Sequence, residues 1–164
     1  MTPPPIPRPT ARILLADHAD RLLLFQGPDL GWFTPGGGLE DGEPVDLAAV
    51  RELREETGYQ ATVEELGPVI AIAAGHWRGS WDGLVRYSVE SFYFLRVEPF
   101  EVDTSGLLDY ERETTITHHW WTLPEIRTTN QHVVPWGLAD LLSRLYAGEI
   151  PEEPVRLPWH HPDL

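Results

Sequence analysis

An α/β fold, with a mixed β-sheet held between helices, is the class that this sequence predicts. Stretches rich in Ile, Leu and Phe over 11–16 and 21–26 precede a helical stretch bounded by Pro44 and Gly58. Strand-like stretches over 69–77, 84–97 and 118–122 follow it, and Leu138, Leu141, Leu142 and Leu145 recur at helical spacing near the end.

The first ten residues contain five prolines and read as an extended arm. Residues 11–16 and 21–26, with His18-Ala19-Asp20 between them, predict a strand, a turn and a strand. Residues 32–34 lead as a short strand into Gly36, Gly37 and Gly38. Asp41-Gly42 makes a turn, Pro44 suits a first helical position, and Asp46 puts negative charge in the first turn, where the helix dipole favours it. Gly58 is placed to end that helix in a left-handed conformation. Leu47, Val50 and Leu53 are expected to form its buried stripe, with Glu52, Glu55 and Glu56 roughly opposite at i, i+3 and i+4.

Residues 61–66 read as a further strand, broken by Gly67-Pro68. The turn chemistry of 78–83 joins 69–77 and 84–97 into a hairpin. A polar loop over 103–115 is longer than a connection requires, and such loops are often functional. Residues 118–122 resume the strand pattern, Pro124 opens a short helical turn, and 134–147 is the final helix, stopped by Gly148. The expected organisation is an arm over 1–10, a domain over 11–148 and a proline-rich tail over 149–164. That tail packs on its own domain or on the second subunit of a homodimer.

Composition narrows the chemistry. A net charge of -14, from 26 acids against 12 Lys plus Arg, argues against a long nucleic acid or an anionic membrane surface as a resting partner. A small phosphorylated substrate neutralised by metal is compatible with it. The absence of cysteine excludes a disulfide framework, a zinc–thiolate site and a thiol nucleophile. No signal-peptide pattern and no apolar run long enough to cross a bilayer leave the cytoplasm as the expected location.

Three carboxylates on one helix repel one another, and Arg51 and Arg54 offset only part of that charge. Hard divalent cations, which prefer carboxylate oxygens, are the counter-charge the pattern calls for. The glycines beside the acids let a backbone carbonyl reach the same ion, or let phosphate oxygens come close. Residues 37–59 run Gly37, five residues, Glu43, seven residues, then Arg51-Glu52-Leu53-Arg54-Glu55-Glu56-Thr57-Gly58-Tyr59. That run resembles the signature box of the Nudix hydrolases, Gly-x5-Glu-x7-Arg-Glu-U-x-Glu-Glu-x-Gly-U, where U is a bulky apolar residue. Seven invariant positions would coincide by chance on the order of a few times per billion starting points. Tyr59 stands where an aliphatic residue is usual, a change of packing more than of chemistry.

The resemblance implies a Nudix-type α/β/α sandwich with a mixed β-sheet, the box helix lying beside the sheet. It implies Glu52, Glu55 and Glu56 as metal ligands, the Gly36 carbonyl as a further ligand, and Mg2+ or Mn2+ as cofactor. Arg51 is expected to orient the carboxylates, and Glu43 to support the loop and the helix start. Family members differ in the general base. The candidates are Glu52 inside the box and Glu111 or Glu113 on the 103–115 loop, with Glu113 placed in the catalytic set.

The implied reaction is hydrolysis of a pyrophosphate linkage in a nucleoside diphosphate linked to another group X, or in a nucleoside triphosphate. A nucleotide-sensing module without turnover is the alternative. Trp77, and with it Trp81 and Trp32, is a candidate for stacking on a nucleobase, and Arg86 for meeting a phosphate. Ala73-Ala74-Gly75 stands where the ADP-ribose and dinucleoside polyphosphate hydrolases carry a proline or tyrosine marker. Neither His118-His119 nor His160-His161 reads as a metal pair, because adjacent residues of an extended segment point to opposite faces.

Overall fold

The computed structural model describes residues 2–108, 111 and 117–161. Its eight-stranded sheet comprises β1 (Ile6–Asp17), β2 (Arg21–Gln26), β3 (Trp32–Phe33), β4 (Gly36–Gly38), β5 (Ala71–Arg78), β6 (Val85–Val97), β7 (Thr117–Thr122) and β8 (Val155–Arg156). Among the described residues the helices are α1 (Val45–Thr57), α2 (Val63–Leu66), α3 (Leu123–Thr128) and α4 (Leu138–Tyr146). The principal strand order is β3-β2-β1-β6-β5-β8, with β4 paired to β1 and β7 to β2. The β1/β6 and β5/β8 pairs are parallel and the others antiparallel, so the sheet is mixed as expected.

β1 is central and buried on both faces, which is why 11–16 reads as an almost unbroken apolar run. Ala11, Ile13 and Leu15 pack in one core with Ala48, Ala49 and Leu53 of α1. Leu14 and Ala16 pack in the other with Leu138, Leu141, Leu142 and Leu145 of α4. The sandwich therefore has one helix layer on each face of the sheet. No helix among the described residues is long and apolar enough to cross a membrane.

The strand begins at Ile6, inside the stretch expected to be an arm, and pairs in register with β6 from Ile6↔Arg86 to Asp17↔Val97. Pro7 and Pro9 are tolerated because of where they lack an N–H. The Pro9 carbonyl accepts from Leu39 N, so by the two-residue period both prolines turn their bonding edges toward β4 and away from β6.

Three further expectations are corrected. Residues 63–66 are helical because Thr62 and Glu65 form a capping box: Thr62 Oγ1 accepts from Glu65 N, and Thr62 N donates to Glu65 Oε1. The last helix starts at Leu138 rather than at 134, since Gly137, at φ 85°, has left-handed backbone. On α1, Leu47 is 49% exposed while Ala48, Ala49, Glu52, Leu53, Glu56 and Thr57 are buried. The two alanines let the helix sit close to the sheet, and the face that it buries is the one that carries Glu52 and Glu56. The acids are therefore not opposite the core.

The tail folds back on its own domain. Val155 N donates to the Ile70 carbonyl and Leu157 N to that of Ile72, setting β8 parallel to β5.

Candidate active site

Residues from β1, β4, α1 and the loop after β6 converge on a cleft of about 600 Å³. The glycines of β4 form its floor. Gly36 runs antiparallel to Arg12 at φ 139°, and its N–H donates to Glu56 Oε2 at 3.1 Å. A Cβ on Gly37 would lie 2.5 Å from Glu52 Oε1, so only glycine leaves that carboxylate its place.

Arg51 organises the acids. Its Nε and Nη2 donate to the two oxygens of Glu43, each at 2.9 Å, in a bidentate pair. Nη1 donates to Glu52 Oε1 at 3.1 Å and to Glu55 Oε2 at 3.4 Å, and Nη2 also reaches the Gly38 carbonyl. The Arg51 hydrogen bonds hold Glu43 below the usual carboxylate range. Arg51, expected to orient the carboxylates, thus touches Glu43, Glu52 and Glu55.

One oxygen each from Glu52, Glu56 and Glu111 lie within 4.8 Å of one another. Glu55 stands outside that group, held at its rim by Arg51. Glu111 was one of two loop acids considered as base, and it is the one found here. Glu113, the one placed in the catalytic set, lies outside the described residues.

The donor set fits a hard divalent cation. Glu52 Oε2 is buried and takes no hydrogen bond among the described residues. Burial, and the Glu52 carboxylate beside it, push Glu56 well above the usual carboxylate range. Buried negative charge without enough positive partners is what a bound cation would neutralise.

Besides Arg51, the positive groups among the described residues that line the cleft are Arg8 and Arg12 of β1. Neither was among the expected site residues, since the prolines beside them concealed the strand. A period-two pattern over 6–12 was the available signal. Arg12 donates to Glu90 Oε2 through Nε and to the Thr34 and Gly36 carbonyls through Nη1. Phe25, Phe33, Leu107 and Leu108 supply an apolar wall.

The expected substrate contacts Arg86 and Trp77 lie elsewhere. Arg86 donates to both oxygens of Asp82 and lies against the paired rings of Trp81 and Trp77, 4.7 and 5.3 Å from their centres. Trp77 Nε1 donates to Ser88 Oγ, and its ring stacks on His161 at 5.8 Å. Neither residue lines the cleft. Arg8, 6.0 Å from the Trp77 ring, connects this hairpin cluster to it.

The family profile described as NUDIX domain matches residues 6–142. The chain belongs to the Nudix hydrolase family. The RNA pyrophosphohydrolase of Caulobacter vibrioides (strain NA1000 / CB15N) is 40% identical over 144 residues, which cover 79% of this chain and 78% of that relative. Nudix hydrolase 25 of Arabidopsis thaliana is 28% identical over 138 residues, covering 74% and 75%. A second RNA pyrophosphohydrolase, from Sphingopyxis alaskensis, is 43% identical over 62 residues, 36% of this chain, and the match spans only 39% of that relative's length. Among solved structures, a MutT protein from Methanosarcina mazei Go1 superposes with a TM-score of 0.63 over 92% of this chain and 100% of its own, at 16% identity. At that identity the likeness speaks for the Nudix fold alone.

Proposed function

We propose that this Nudix domain catalyses divalent-metal-dependent hydrolysis of a pyrophosphate linkage, in a nucleoside diphosphate bearing another group X or in a nucleoside triphosphate. The observation that carries the reading is the meeting of Glu52, Glu56 and Glu111 with Arg8 and Arg12 in one cleft. Carboxylates that gather cations and guanidinium groups that take phosphate are complementary halves of a diphosphate site.

Glu52, Glu56 and Glu55, with the Gly36 carbonyl, would hold magnesium or manganese. Bound there, the cation would shield phosphate charge and lower the pKa of a coordinated water. The rest falls to the chain's own groups. Arg51 keeps the box carboxylates in place, and Arg8 and Arg12 draw in and orient the phosphates. Phe33, half-buried in the cleft wall, would offer an aromatic contact to a base. Glu111, of the candidate bases Glu52, Glu111 and Glu113 the loop acid that meets the box carboxylates, would take a proton from the attacking water. Relatives named as RNA pyrophosphohydrolases make a 5′-phosphorylated RNA end a further substrate class to assay.

The test is a panel of nucleoside triphosphates, nucleoside diphosphates linked to sugars and nucleosides, and short 5′-triphosphorylated RNA, each with magnesium and with manganese. At least one member should be hydrolysed at a pyrophosphate bond. Tight binding of a nucleotide with no turnover of any member would replace this reading with the sensing module.

A further inference from the structure

We infer that His160, in the segment after β8, is a positioning residue for the cleft. Through Glu90 it fixes the Arg12 guanidinium, which holds the Gly36 carbonyl and presents positive charge to the substrate phosphates. The inference rests on the hydrolase reading above and adds a residue that lies far from the box in sequence.

The chain of contacts is continuous. His160 is 8% exposed, and its Nε2 lies 3.4 Å from Glu90 Oε1. A carboxylate only accepts, so in this pair the donor is the His160 Nε2 side. The other Glu90 oxygen takes Arg12 Nε at 3.1 Å. Arg12 Nη1 bonds the Thr34 and Gly36 carbonyls, and the Gly36 N–H bonds Glu56. Glu90 of β6, Arg12 of β1 and Gly36 of β4 thus connect His160 of the tail to Glu56 of the acid cluster.

Glu90 is 5% exposed. Burial alone would raise its pKa, but Arg12 and His160 more than offset that and hold it at about 2. It is therefore a fixed negative charge to which Arg12 is tied. With His160 removed, one buried oxygen loses its donor, and the carboxylate and Arg12 are free to re-pair in another geometry.

The seat for the tail is built into the hairpin. A Cβ on Gly75 would stand 2.3 Å from the Trp159 ring, so glycine there is what admits Trp159. Trp159 Nε1 donates to the His76 carbonyl, and His161 stacks on Trp77. These contacts flank His160 and bring it to Glu90. The hairpin thus gains a part in the site that differs from direct substrate contact.

The experiment uses the full chain and the best substrate of the panel. His160→Ala should raise KM about tenfold, with a smaller change in kcat, and weaken binding of a non-hydrolysable methylene analogue by a similar factor. His160→Gln, whose amide can still donate to Glu90, should restore both to within about threefold of the parent. Gly75→Ala, which displaces Trp159 without touching the network, should reproduce the alanine effect, and it carries the test should His160→Ala not fold. A merely structural role would lower Tm but leave KM and analogue affinity at parental values in the folded variants. That result, or failure of glutamine to rescue, overturns the inference. A wild-type protein that turns over no panel member refutes the hydrolase reading instead, while binding of the analogue still tests His160.

Discussion

Glu56→Gln is expected to lower turnover by about three orders of magnitude while leaving the metal-free protein at least as heat-stable as the parent. The two halves of that result have one cause. Glu56 and Glu52 are both buried, and Glu56 is pushed toward its neutral form by burial and by its neighbour. Glutamine keeps the shape and still accepts from the Gly36 N–H, so folding loses a repulsion and little else. A neutral amide is a poor ligand for a hard cation, so the site loses the charge that would bind it. Steady-state kinetics and thermal melting of the same preparation check both. Loss of stability in step with activity would assign Glu56 to the scaffold.

Gly36→Ala should produce the largest loss of stability, about 4 kcal/mol or more, seen as a drop in Tm of about 10 °C for a chain of this size. The residue sits at φ 139°, a conformation that side chains rarely adopt. The added Cβ would lie 2.1 Å from the Ala11 carbonyl oxygen and 2.8 Å from Arg12 Cα. Both are backbone atoms of the central strand, so neither can rotate aside. If β4 moves instead, the Glu56 and Arg12 bonds to Gly36 go with it. Differential scanning calorimetry decides the point, and a variant that melts within about 2 °C of the parent contradicts the account.

The parts of the site that are local in sequence were the legible ones. Gly58 ends α1 in a left-handed conformation as expected, while Pro44 is its extended N-cap, one residue ahead of the first helical position that it was expected to fill, and the ladder of acids on that helix follows from spacing alone. Which face of α1 is buried did not follow from apolar content. Ala48 and Ala49 count as weakly apolar, yet it is their small size that draws the helix onto the sheet, and Leu47 is left half exposed. The Thr62-Glu65 capping box is legible in the sequence, and in the structure it overrides the strand reading of 61–66. Arg8 and Arg12 were concealed because proline is a weak strand former, and only the pairing on each side of β1 shows that its missing donors cost nothing there. Glu111 and His160 reach the site from loops and tail, by contacts that no short-range pattern encodes.

On the proposed reading, the buried carboxylates of α1 hold a divalent cation whose presence turns the cleft into a pyrophosphate hydrolase. The most direct measurement strips the enzyme with a chelator, then follows hydrolysis of the best panel substrate as magnesium is titrated back. The account predicts no product in chelator and saturable recovery with added metal, shifted to far higher metal in Glu52→Gln. Full turnover in chelator, or a metal dependence that Glu52→Gln leaves unchanged, would contradict it.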